Sequence, residues 1–166
     1  MKHLKGIRTL CMGPLYFLGG KYMRLWHKDL LCVLPKQQLV SQWRECCAIA
    51  RTIAVIGTPN HILVNRIMDY PISHFYAYAH LVIEEMNKRG FAITVTAYAK
   101  FEEYIFKIVD KSDVEQNEPS FETLFYNWHN DRYLWQCFYN LEEKHDCGAI
   151  TDEEWQQIEE LATFYV

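Results

Sequence analysis

The chain lacks any apolar run near the roughly 18 residues that a membrane-spanning helix needs. It has only five prolines and seven glycines in 166 residues, too few for a flexible linker. None of its six cysteines (Cys11, Cys32, Cys46, Cys47, Cys137 and Cys147) stands in a Cys-x-x-Cys pair. Cys46 and Cys47 are adjacent on an expected helix, a poor geometry for bridging each other. A reduced, cytoplasmic protein is the simplest account. His145-x-Cys147 has no second pair at ligand spacing, so neither a metal nor a cofactor is expected. Acids are scarce in one stretch: Glu45 is the only one between Asp29 and Asp69.

What is present is hydrophobic and unevenly charged. Half the residues are hydrophobic and 15% aromatic, enough for one globular domain with a sizeable core. The net charge of −4 hides an asymmetry. Residues 23–100 hold nine Lys/Arg against five acids, and residues 101–166 hold four against sixteen. A basic half suits a polyanion; an acidic half suits solvent or a partner protein.

Residues 1–22 read unlike the rest. Lys2, Lys5 and Arg8 precede an apolar patch, Leu10 to Leu18, broken by Gly13-Pro14. The interruption and the missing small-x-small cleavage pattern argue against a secretory signal. A leader translated from a start codon set too early, or a poorly ordered arm, fits better. The codons of Gly19-Gly20-Lys21 can spell a purine-rich ribosome-binding sequence ahead of Met23.

The remainder reads as all-α: a single-domain helical bundle over 23–166 with a C-terminal helical hairpin. A helix is expected from Gln37 to Val55, ended by Gly57-Thr58-Pro59. Asn60 is expected to cap a short helix through Met68. Pro71 suits the first turn of a helix running to Lys88-Arg89, with Gly90 as its C′ residue. Phe91 to Thr96 reads as a short extended stretch and Ala97 to Val109 as a helix. Lys111 to Pro119 reads as a polar loop, and Ser120 to His145 as one long helix. Thr151-x-x-Glu154 is a capping-box signature for a last helix to about Thr163. Phe121, Leu124, Phe125, Trp128, Leu134, Trp135, Phe138 and Leu141 recur at helical spacing, as a packing stripe does.

On the helix 37–55, Leu39, Trp43, Cys46, Cys47, Ala50 and Ala54 share the face expected to be buried. Ser41, Glu45, Ala48 and Thr52 fall opposite, with Arg44 and Arg51 along one flank. A lone carboxylate repels phosphates, so its place in a basic stretch calls for a reason. General acid–base work is one, and a solvated pairing with Arg44 or Arg51 is the other.

Met23-Arg24-Leu25 is similar to the amino terminus of the pyrimidine-dimer DNA glycosylase/AP lyase family, the endonuclease V type of phages and bacteria. There a nucleophilic first residue is followed by Arg and an aliphatic. Gln38-Leu39-Val40-Ser41-Gln42-Trp43-Arg44-Glu45 resembles the family helix that ends in aromatic-Arg-Glu. Asn60-His61, Pro71 and the run Glu84 to Phe91 resemble its later segments. The resemblance covers about 23–96, with an acidic helical extension over 97–166.

The resemblance implies a DNA repair enzyme acting on double-stranded damaged DNA, monomeric, with no membrane. The free α-amine of Met23 is the implied nucleophile, forming a Schiff base, and Glu45 the catalytic acid. Arg24, Arg44, Arg51, His61 and Arg66 are the implied DNA-binding residues. Such chemistry needs a chain whose amine is free at Met23. Three departures bear on lesion preference more than on reaction type. Gln38 replaces a histidine of some members, and Ala48 replaces an arginine of the phage enzyme. Arg24 is too bulky for removal of the preceding methionine, so Met23 itself supplies the amine. Two other readings stay open: a DNA-binding module that has lost catalysis, and a protein–protein interaction domain working through its acidic hairpin.

Overall fold

The structure is a computed structural model and describes residues 23–165; the leader assigned to 1–22 lies outside the described residues. Six α-helices follow one another: α1 (Lys36–Ile56), α2 (Ile72–Lys88), α3 (Val95–Ile108), α4 (Lys111–Gln116), α5 (Asp131–Asp146) and α6 (Asp152–Ala162). Short 3-10 turns span Lys28–Val33, Asn65–Asp69 and Thr163–Tyr165. The described residues contain no strand, and the fold is all-α.

Local chemistry accounts for most helix ends. Gly57 takes φ +87° after α1 and its N–H returns to the Ile53 carbonyl. At the end of α2, Gly90 (φ +75°) donates to Asn87 O and Phe91 donates to Met86 O, the paired bonds of a Schellman motif. Thr151 and Glu154 bond each other's backbone at the start of α6, as the capping-box signature implies.

Several expected boundaries are corrected. Asn60 does not cap a helix: it sits at φ +55°, and the short helix shrinks to the 3-10 turn Asn65–Asp69. The His61 carbonyl accepts from Val64 and Asn65, and Asn65 Oδ1 accepts from His61 N, closing a tight turn instead. Thr94 caps α3 through its hydroxyl, so the helix opens at Val95 and the extended stretch is shorter than expected. The polar loop 111–119 contains α4, seated by one buried residue, Val114, and held to α2 by Ser73 Oγ donating to Asn117 O.

The long helix 120–145 is the largest correction. Residues 120–129 form irregular turns, and α5 begins at Asp131 under an Asn130 side-chain cap. Phe125 stands at φ +50°, and its N–H donates to His74 Nδ1 at 3.0 Å. Its buried ring packs against Tyr70, Tyr78, Trp128 and His129. Long-range aromatic packing therefore overrides local helix propensity here. Phe121, assigned to the packing stripe, is 46% exposed, whereas Leu124, Phe125, Trp128, Leu134 and Leu141 are buried.

Most of the core lies where α1 packs on α3 and α2. Residues 25–27 run beside it without regular structure into the 3-10 turn that opens at Lys28, and side chains complete the backbone hydrogen bonding of 25–28. Gln42 Oε1 accepts from Trp26 N at 2.9 Å. The Tyr78 hydroxyl donates to Trp26 O at 2.7 Å, and the Tyr133 hydroxyl to Leu25 O at 2.6 Å. His129 Nδ1 accepts from Lys28 N at 3.0 Å. The buried Lys28 ammonium donates in turn to the carbonyls of Phe121, Glu122 and Leu124, fastening the irregular segment before α5.

Gln42 is fully buried, so removing its carboxamide leaves the Trp26 amide without an acceptor. Gln42→Ala is expected to cost about 2–3 kcal/mol of stability, as orphaned buried polar groups do. Chemical denaturation reads this as a lower midpoint; an unchanged midpoint would contradict the anchoring role.

Candidate active site

Glu45 lies in the middle of α1, one turn after Ser41 and three residues after Gln42. The face expected to be free to solvent is instead half-covered: Ser41, Glu45, Ala48 and Thr52 are all partly buried. Buried Leu39, Trp43, Cys46 and Ala50 occupy the opposite face as expected, while Cys47 and Ala54 are only half-buried. Arg24 and Trp26 face Ser41 and Glu45, with Asn140 and Lys144 of α5 across an open space. Together they enclose an open cavity of about 350 Å³ lined by Arg24, Trp26, Ser41, Glu45, Asn140 and Lys144, among others.

Burial pushes the Glu45 carboxyl up to about 7. The Arg24 backbone amide, the Lys144 ammonium and the Gln42 side chain pull in the other direction. Gln42 Nε2 donates to Glu45 Oε2 at 3.3 Å while its Oε1 holds Trp26, so one carboxamide ties the N-terminal segment to the acid. Among the described residues, no ion pair joins Glu45 to Arg44 or Arg51. A carboxyl poised near 7 exchanges protons readily in either direction at neutral pH.

A second open cavity, about 570 Å³, also draws on Arg24 and brings in Arg66, Trp128, Tyr133 and Tyr139. The Arg24 guanidinium lies 5.7 Å from the Trp26 ring centre and touches Cys137 Sγ at 3.9 Å. Arg66 lies 5.3 Å over Trp128 and donates to Asn127 O at 3.4 Å. Two planar cations thus sit against aromatic faces at the rim of one hollow.

Of the residues expected at the site, Glu45, Arg24 and Arg66 line these two adjoining cavities. Met23 is half-buried against the core, one residue before Arg24. Arg44 and Arg51 are exposed on α1 and line neither cavity. His61 is half-buried in the Asn60–Asn65 turn, where its Nδ1 accepts from Leu63 N at 3.3 Å. The Glu84–Phe91 segment is architectural: Arg89 pairs with Glu85 at 2.6 Å and donates to the carbonyls of Leu31, Cys32 and Leu34.

Sequence reasoning missed Gln42, Asn140 and Lys144. Gln42 carried a signal, a polar residue on the buried side of an amphipathic helix; the other two lie far along the chain and had none. Among the described residues, no group of three or more His, Cys, Asp or Glu stands at metal-binding distance. No described helix is long and apolar enough to cross a membrane. His145 stacks on Trp155 and bonds Asp152, which gives it a structural task.

A half-buried carboxyl near neutrality, sharing its cavity with Arg24 and Lys144 on a helical scaffold, defines an acid–base site suited to a polyanionic substrate. Residues 23–99 match the family model described as pyrimidine dimer DNA glycosylase, which supports the family resemblance over that segment. The activity at family level is that of a DNA glycosylase, and DNA is the partner it implies. No curated protein and no solved structure matches the chain significantly. The match ends inside α3, yet Asn140 and Lys144 of α5 face the same cavity as Glu45.

Because the folded carboxyl is raised from 4.5 to about 7, the folded chain holds a proton that the unfolded chain has lost. Glu45's contribution is therefore most favourable below about 4.5, declines as pH rises toward 7 and is flat above it. A carboxyl-carbon NMR titration of Glu45 should show a midpoint near 7, and Lys144→Met should move it upward. A midpoint in the ordinary glutamate range would contradict the buried placement.

Proposed function

We propose that the protein is a DNA glycosylase with AP lyase activity on pyrimidine dimers or related lesions, working through the free α-amine of Met23. The observation that carries this reading is the Arg24 backbone amide beside the Glu45 carboxyl, one peptide unit from the Met23 nitrogen. An α-amine has a reference pKa of about 7.7–8.0, so roughly a third is neutral at pH 7.5; for a lysine the neutral fraction is about one in a thousand. A terminal amine is thus a competent nucleophile without deep burial.

The amine attacks C1′ of the damaged nucleotide, and the base leaves with the electron pair of its glycosidic bond. The nitrogen loses a proton, the C1′–O4′ bond opens, and O4′ takes a proton from Glu45, leaving an iminium. The resulting Glu45 carboxylate removes a proton from C2′, and the C3′–O bond breaks with the phosphate as leaving group. A carboxyl near 7 suits both transfers, since it must give a proton and then accept one. Arg24 and Arg66 hold phosphates at the cavity rim, and Arg44, Arg51 and His61 extend the contact along the duplex. Reaching C1′ requires the duplex to be distorted. We read the protein as a cytoplasmic monomer acting on double-stranded damaged DNA without metal or cofactor.

Borohydride trapping on duplex DNA containing an abasic site tests the chemistry. A chain beginning at Met23 is expected to form a covalent adduct, and one beginning at Met1 is not. Absence of an adduct with both would remove the lyase assignment and favour a binding module. In the chain beginning at Met23, Glu45→Gln should abolish strand cleavage yet leave DNA affinity within about twofold, because it removes proton transfer and not phosphate contacts. Undiminished cleavage would show that Glu45 has no catalytic part.

A further inference from the structure

The turn between α1 and α2 carries two exposed aliphatic side chains at its tip. Ile62 is 84% exposed and Leu63 is 47% exposed. Their backbone is firmly braced. The His61 carbonyl accepts from Val64 N and Asn65 N, Asn65 Oδ1 accepts from His61 N, and His61 Nδ1 accepts from Leu63 N. Val64 is completely buried and pins the turn from beneath, as does Ile67 in the following 3-10 turn. The tip therefore presents two apolar groups on a fixed support.

Their neighbours decide what could cover them. Both line the cavity that holds Arg24 and Arg66, and Leu63 also lines the one that holds Glu45. Apolar side chains flanked by guanidinium groups match a surface whose rim is anionic and whose interior is apolar. Duplex DNA has that profile: phosphates outside, stacked base faces within. Leucine and isoleucine are among the side chains that insert between base steps and kink the duplex.

We propose that Ile62 and Leu63 form an apolar wedge that enters the base stack at the lesion while Arg24 and Arg66 hold the adjacent phosphates. This rests on the DNA-acting reading of the Glu45 site. The wedge exchanges base–base stacking for contact with the two side chains, holding the strand open beside the acid. An exposed tip gains its burial only when DNA is bound and deformed, so the wedge favours sites that are already weakly stacked.

The test uses the full chain and a duplex carrying a tetrahydrofuran abasic analogue opposite 2-aminopurine. The analogue cannot form a Schiff base, so the readout is independent of the nucleophile. Wild type is expected to raise 2-aminopurine fluorescence on binding. The double substitution Ile62→Ser and Leu63→Ser should abolish most of that rise and weaken affinity for the lesion duplex on the order of tenfold. Affinity for undamaged duplex should change less than about twofold, because phosphate contacts are kept. Ile62→Met with Leu63→Met should restore the fluorescence rise, since methionine is also an apolar wedge. Undiminished unstacking by the serine variant would overturn the proposal. So would conversion of a self-associating protein to monomer with lesion binding unchanged, which would make the tip a contact between protein copies. Failure of borohydride trapping with unstacking intact would remove the lyase chemistry and leave the wedge standing.

Discussion

Everything around the candidate site depends on how residues 25–28 are held. Apart from the His27 carbonyl, which accepts from Leu30 N in the following 3-10 turn, the segment relies on side chains to keep its buried amides and carbonyls from being orphaned. Gln42 from α1, Tyr78 from α2, Tyr133 from α5 and His129 from the turn before α5 each supply one side-chain hydrogen bond. The segment is thereby the common joint between the α1–α2 pair and α5. An isolated buried polar group costs about 1–3 kcal/mol when its partner is lost, so these four bonds specify position more than they add net stability. Lys28 extends the joint, its ammonium closing three carbonyls in a stretch that cannot satisfy them by helix formation.

That joint also sets the electrostatics of Glu45. Gln42 must keep its carbonyl oxygen toward Trp26 and therefore turns its amide nitrogen toward the acid. The same placement of residues 24–26 narrows the solvent around the carboxyl, and burial outweighs the combined pull of the Arg24 amide, Lys144 and Gln42. The raised affinity for a proton is thus a consequence of anchoring the N-terminal segment over α1. Cover from α5, which lies outside the family match, belongs to the same arrangement.

The all-α class and the helices with clean caps were readable because their signals are local: Gly57, Gly90 and the Thr151–Glu154 pair each act within one turn. Glu45 stood out as the lone acid in a basic stretch, but that pattern left a solvated pairing with Arg44 or Arg51 open, and the family resemblance is what singled it out. The break at Phe125 was not readable, because its cause is a ring packed against Tyr70 and Tyr78 and an amide held by His74, some 50 residues away in sequence. Lys28 counted only as a charge, although it is buried and structural. Arg89 followed the same pattern: a residue within a family-like motif that fastens backbone carbonyls and does not approach the cavity. Periodicity reveals which face of a helix is apolar but not which partner closes over its polar face, and Lys144 and Asn140 enter only through that closure.

The charge asymmetry takes on a physical meaning once the cavities are placed. Arg24, Lys144 and Arg66 line them together with Glu45 and Glu143, whereas Asp152, Glu153, Glu159 and Glu160 are exposed on α6. At physiological ionic strength the screening length is about 8 Å, so a phosphate feels local charge and not the net charge of the chain. An acidic helix repels the backbone of an approaching duplex over that range, and the exposed arginines of α1 attract it. The net charge of −4 is then a poor guide to how a polyanion meets the chain, because Arg24, Arg66 and Lys144 line the cavities whatever the total. On the proposed reading, a duplex reaching these cavities meets Arg24 and Arg66 at their rim, and distortion of its backbone is what would carry a sugar to Glu45.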